Sequence, residues 1–137
     1  MESLHVAEVA DADEEGGALG TLKPVGPFFA AGWHEWYPGF ASNFLEPLLL
    51  LRKLHAKANP GAAVCFFGGP NPHKASPEYT AYSTAKAALR MFVRDIAAEE
   101  PALRVFMLDP GRVATKIHVR PLDRATTTHA QIFAALK

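Results

Sequence analysis

The stretch SPEYTAYSTAKAALRMFVRDIAAEE (residues 76–100) lies between two short apolar runs, AAVCFF (62–67) and LRVFML (103–108), and its reading decides the fold. Tyr82, Ala85, Leu89, Phe92, Val93 and Ile96 recur at helical spacing, so a helix is expected over residues 77–99. Ser76 is a good N-cap, Pro77 suits the first helical position, and Glu78 suits the positive first turn. The flanking runs are continuously apolar, the pattern of buried strands, and end in GGP (68–70) and DPG (109–111). Strand, helix and strand joined by short links is the rhythm of a parallel sheet with crossover helices.

Working outward, SNFLEPLLLLRKLHAKANPG reads as a second helix over residues 42–58. Pro47 is tolerable near its first turn, and Asn59-Pro60-Gly61 stops it. VGPFFAAG (25–32) is expected to be a short strand, although Pro27 donates no ladder hydrogen bond. WHEWYPG (33–39) reads as an aromatic loop, and LHVAEVA (4–10) alternates weakly as a further strand would. The expectation is an α/β fold with three or four strands and at least two long helices. It forms one domain over residues 1–137, whose polar tail (119–137) ends in a short apolar helix, AQIFAAL.

Composition narrows the function. Lys plus Arg and Asp plus Glu number 14 each among 137 residues, so the chain lacks the basic excess on which phosphate neutralisation rests. A nucleic-acid partner is not expected. Cys65 is the only cysteine, which points to a reducing, cytoplasmic setting and, in mid-strand, to an inert core residue. The acidic opening MESLHVAEVADADEE does not resemble a signal peptide, and the longest aliphatic run, 48–51, is too short to span a bilayer. His5, His34, His55, His73, His118 and His129 show no paired ligand spacing, so no metal site is expected. Trp33, Trp36 and Tyr37 suit either a pocket wall or a loop anchored on the core.

Tyr82 and Lys86 stand four apart and so share one helix face. An ammonium beside a phenol favours the phenolate and lowers a pKa ordinarily near ~10. A tyrosine tuned that way exchanges a proton with an alcohol or carbonyl oxygen. The pair alone is a weak signal, because so short a motif arises readily by chance.

Its surroundings strengthen it. YSTAK (82–86), followed by a strand and then PGRVAT (110–115), resembles the short-chain dehydrogenase/reductase family over much of residues 25–118. Asn43, in NFLEPLLL, stands where that family carries an asparagine about forty residues before the tyrosine, and FAAG (29–32) shares its last two residues with the family's Asn-Asn-Ala-Gly. The resemblance implies a partial Rossmann-like parallel sheet and hydride transfer between NAD or NADP and a carbonyl or alcohol substrate. Tyr82 would be the acid/base, Lys86 would lower its pKa and bind the nicotinamide ribose, and Asn43 would hold a water of a proton relay. Pro110, Gly111, Val113 and Thr115 would form the turn that meets the nicotinamide. The family's dimer contact would fall on the 42–58 and 77–99 helices, so a homodimer is expected.

Three departures accompany the resemblance. No hydroxyl side chain lies between Asn43 and Ser76, where the family has a substrate-binding serine roughly a dozen residues before the tyrosine. The family's glycine-rich phosphate turn has no counterpart, since GGALG (16–20) has the wrong spacing and follows a run of acids. The chain stops soon after Thr115, as the middle and catalytic portion of a dehydrogenase would. Weak dinucleotide binding by this chain alone is therefore expected. The alternative to an oxidoreductase is a non-catalytic relative, or a truncated product, acting through dimerisation or a partner.

Overall fold

A computed structural model describes residues 20–69 and 71–111. Its centre is the unit formed by β1 (Ala63–Phe67), α3 (Thr80–Glu99) and β2 (Arg104–Leu108). The strands pair in parallel, in the register Ala63 with Arg104 through Phe67 with Leu108. Two strands lie among the described residues, fewer than the three or four expected. The expected strand at 4–10 and the tail at 119–137 fall outside the described residues.

Helix α3 covers the sheet with Leu89, Val93 and their neighbours Phe92 and Ile96, which meet Phe66, Leu103 and Val105 from the strands. These positions follow the helical period of the sequence, so one side of α3 is apolar and closes the core. Leu51 and Leu48 of the preceding helix complete the cluster. Ala81 and Ala85 are fully buried, and so small a side chain lets a neighbouring helix approach α3 closely.

The helix starts three residues later than Pro77. Ser76 to Tyr79 forms a turn instead, closed by Tyr79 N–H donating to the Ser76 carbonyl at 3.2 Å, and Glu78 takes a left-handed φ of 69°. The Glu78 carbonyl there accepts from Gly26 N–H at 2.8 Å, which ties this turn to the entering chain. That long-range bond outweighs the capping preference of Ser76.

The expected 42–58 helix is in fact two. Helix α1 spans Trp33–Asn43 and α2 spans Leu45–His55, with Phe44 between them at φ −127° and ψ −59°. Pro47 explains the break: it has no N–H for the Asn43 carbonyl, and its ring pushes against that carbonyl. The proline thus sits in the first turn of α2, where its lost donor costs nothing. WHEWYPG is not a loop but most of α1, which carries Pro38 in its interior. The rings of Trp33, Trp36, Phe40 and Phe44 run along it in successive contacts of 5.2–5.6 Å. Trp36 Nε1 donates to Thr80 Oγ1 at 2.9 Å, fastening α1 to the start of α3. Residues 25–32 are not a strand; they hold a single 3₁₀ turn, Phe28–Ala30, before α1.

Candidate functional site

Helix α3 presents Tyr82 and Lys86 at the carboxyl end of β1. Lys86 is only 8% exposed, and its Nζ donates to the carbonyl of Phe67, the last residue of that strand, at 3.0 Å. The same ammonium stands over the Tyr82 ring, 5.8 Å from its centroid. Such a cation is attracted by the ring face, while its hydrogen bond goes to the peptide. The phenol and the amine are thus set side by side, the amine buried and the phenol partly so.

Burial dominates the acid–base behaviour of both groups. Desolvation lowers the Lys86 ammonium from 10.5 to about 8. Desolvation also raises the Tyr82 phenol above its ordinary 10. The shift of tyrosine is the reverse of the sequence expectation. The charge that was to stabilise a phenolate is itself destabilised by burial, and it is held by the Phe67 carbonyl. Burial thus favours the protonated form of Tyr82.

The position facing the phenol is Gly69. A Cβ built there would lie 3.4 Å from Tyr82 Oη, yet 2.7 Å from Cγ and 2.9 Å from Cβ of Lys86. Those two atoms belong to the root of the lysine side chain, which has little room to give. In the hydroxyl-free stretch before Ser76, Gly69 is the glycine whose Cβ would approach the phenol. Any side chain at that position has to displace the lysine stem.

Asn43, the last residue of α1, is completely buried. Its Nδ2 donates to the Thr21 carbonyl at 2.7 Å and to the Gly39 carbonyl at 2.8 Å. The first of these bonds ties α1 to the entering chain and the second returns to α1 itself, while Oδ1 is left buried without a partner among the described residues. No hydrogen bond joins Asn43 to Tyr82 or Lys86. Pro110 and Gly111 leave the carboxyl end of β2, with Gly111 at φ 74°. Val113 and Thr115 lie outside the described residues.

Two residues that the sequence reading passed over belong to this region. Arg90 Nη2 donates to both carboxylate oxygens of Asp109, at 2.9 and 2.8 Å. Arg90 stands four residues after Lys86, and Asp109 immediately precedes Pro110-Gly111, so the helical spacing that exposed Tyr82 and Lys86 also marks Arg90. A groove of about 460 Å³ opens over this pair, with Gly69, Asn71 and His73 among its walls.

The residues present fit one end of a dinucleotide. In open parallel sheets ligands sit in the crevice outside the carboxyl ends of the strands. Tyr82 and Lys86 meet the end of β1, and the Pro110-Gly111 turn leaves the end of β2 beside it.

No family model matches the chain. Among curated proteins, an uncharacterized oxidoreductase of Schizosaccharomyces pombe is 28% identical over 102 residues, covering 73% of this chain and 41% of that protein. A short-chain dehydrogenase/reductase from Burkholderia vietnamiensis is 28% identical over 71% of this chain and 46% of its own, with a TM-score of 0.62. A short-chain dehydrogenase family protein from Francisella tularensis superposes at a TM-score of 0.67, with 22% identity over 73% of this chain and 42% of its own. A 4-hydroxyisoleucine dehydrogenase solved with NADH and succinate reaches 0.69, at 18% identity over 82% of this chain and 53% of its own. The chain spans about half the length, or less, of these relatives. In sequence and in fold the chain is similar to short-chain dehydrogenase/reductase structures.

Proposed function

We propose that this chain is part of a single dinucleotide-binding domain of an NAD- or NADP-dependent oxidoreductase that acts on a carbonyl or alcohol substrate. The observation that carries the reading is the buried Tyr82–Lys86 pair at the carboxyl end of β1. Nicotinamide, when bound, supplies or accepts the hydride. Lys86 and the turn at Pro110 and Gly111, with Val113 and Thr115, hold the nicotinamide end. Tyr82 gives its phenolic proton to the carbonyl oxygen as the carbonyl carbon is reduced, and Lys86 replenishes it. The burial that raises the phenol pKa keeps Tyr82 protonated, the form that carbonyl reduction needs. Asn43 acts in the relay through Oδ1, the atom of its amide that has no hydrogen-bond partner among the described residues.

Tyr82→Phe tests the assignment, since it removes the acid with little change in packing. Carbonyl reduction is expected to fall about 10²–10⁴-fold, the usual worth of a positioned proton donor. Turnover near the wild-type rate in the variant rules Tyr82 out as the acid.

One observation favours a second reading, a non-catalytic relative that works through dimerisation. Gly69 leaves the substrate oxygen without the family's serine hydroxyl, and such donors are worth about 3 kcal/mol of barrier. Leu49 and Leu54 of α2 and Met91 of α3 are exposed, as a helical dimer contact requires. Light scattering at micromolar concentration is expected to give a dimer mass under either reading. Reduction of no carbonyl substrate by the wild-type dimer selects the second.

A further inference from the structure

Tyr82, Lys86 and Arg90 follow one another at four-residue steps along α3, and the two cations are each spent on a different strand end. Lys86 Nζ holds the Phe67 carbonyl at the end of β1. Arg90 holds the carboxylate of Asp109, the residue that follows the last of β2 and precedes Pro110-Gly111. The carboxylate lies directly across Gly68: a Cβ built there would fall 1.6 Å from Asp109 Oδ1. Gly68 in turn adds the next rung of the ladder, its N–H donating to the Leu108 carbonyl at 2.8 Å. A bare backbone at 68, a carboxylate at 109 and a guanidinium at 90 therefore fit only as a set.

We infer that Gly68, Asp109 and Arg90 form a clasp that fixes where the Pro110-Gly111 turn stands relative to the Tyr82–Lys86 helix face, making Arg90 and Asp109 positioning residues for the nicotinamide end of the site. The consequence for nicotinamide rests on the proposed function; the clasp itself does not. Stability is a poor explanation for the pair. Half of the Asp109 side chain and a quarter of the Arg90 side chain are exposed, and an ion pair so placed contributes little to folding. What it does supply is registry. A carboxylate gripped through both oxygens cannot swing without losing them, so the pair sets the direction in which the chain leaves β2.

Amide hydrogen exchange on the 137-residue chain tests this, comparing Gly68, at the clasp, with Val105 in mid-strand. Asp109→Asn and Arg90→Gln are each expected to speed exchange at Gly68 at least fivefold and to leave Val105 within twofold of wild type. The double variant is expected to add less than twofold to either single one, because both remove the same contact. Equal acceleration at both amides makes the pair an ordinary stabilising contact and overturns the inference; so does no acceleration at Gly68. Titration with nicotinamide mononucleotide, followed by ligand NMR, tests the second half. Arg90→Gln is expected to weaken binding about tenfold relative to wild type, and equal affinity in both proteins overturns the positioning role. If the wild type does not bind the mononucleotide, the cofactor reading of the site fails, while the exchange result still decides the clasp.

Discussion

The β1–α3–β2 unit and the helical arm before it, residues 20–55, are both rich in apolar side chains, yet they are held in different ways. In the βαβ unit the apolar residues exclude water together: Leu89 is 1% exposed, and Phe66, Val93 and Leu103 are buried against it. In the arm the rings lean on one another. Trp33 stacks on Trp36 and Trp36 on Phe40, but Trp33 stays 63% exposed and Phe29 98% exposed. The first arrangement gains its stability from solvent removed from both partners; the second orders a surface without closing it. The proposed site lies on the first. Tyr82, Lys86 and Arg90 all rise from the helix that the core fixes, which is where a site needing sub-ångström placement belongs.

Leu89→Ala should produce the largest effect on stability. It empties a fully buried position at the centre of the core, and a loss of about 2–5 kcal/mol in urea unfolding is expected. A loss below about 1 kcal/mol means that the unit does not carry the stability of the chain, and the contrast with the arm collapses.

Lys86 sharpens the comparison through pH. Its pKa is depressed from 10.5 to about 8 by burial, so between those values the unfolded chain binds more protons than the folded one. Stability consequently rises with pH across that window, by about 3 kcal/mol at most. Above pH ~10 the raised Tyr82 pKa opposes it, since the unfolded phenol ionises first and stability falls. Lys86→Met should abolish the rise between pH 8 and 10 in melting experiments. A melting temperature equally flat in both proteins shows that the amine is better solvated than its burial implies.

At the small end, Phe29→Ser should change stability by no more than about 0.5 kcal/mol, because its ring has almost no solvent-excluded contact to lose. A loss above about 1.5 kcal/mol in the same urea experiment would place the arm's aromatic surface within a packed interface and erase the distinction between the two regions.

The same contrast governs what could be read from the chain. Both strands and the body of α3 were legible because the core that fixes them is written as local periodicity: Ala62 to Phe67, Leu103 to Leu108, and the 3.6-residue recurrence from Tyr82 to Ile96. The arm was misread because its order is set by contacts distant in sequence. Nothing near Trp33 announces that Trp36 will reach Thr80, and Pro38-Gly39 reads locally as a breaker. The start of α3 failed for a similar reason, since Gly26 claims the carbonyl of Glu78. At the site, spacing revealed that Tyr82 and Lys86 share a face but not what each would face. Lys86 finds the Phe67 carbonyl only once the strand has been laid over the helix, and only then does burial outweigh the charge–phenol attraction. The sequence showed that a serine is missing before Tyr82, but only the fold shows that Gly69 stands nearest the phenol.

The Trp33–Trp36 stack has an optical consequence. Two indoles with centroids 5.2 Å apart and planes 11° from parallel have electronic transitions that mix, which gives circular dichroism a paired, oppositely signed signal belonging to α1 alone. One member of that pair, Trp36, is also the residue whose indole N–H is bonded to Thr80, two positions before Tyr82. The seam between the helical arm and α3 therefore contains a built-in chromophore. Its spectrum changes when the two helices part, whether or not the sheet beneath them has begun to unfold.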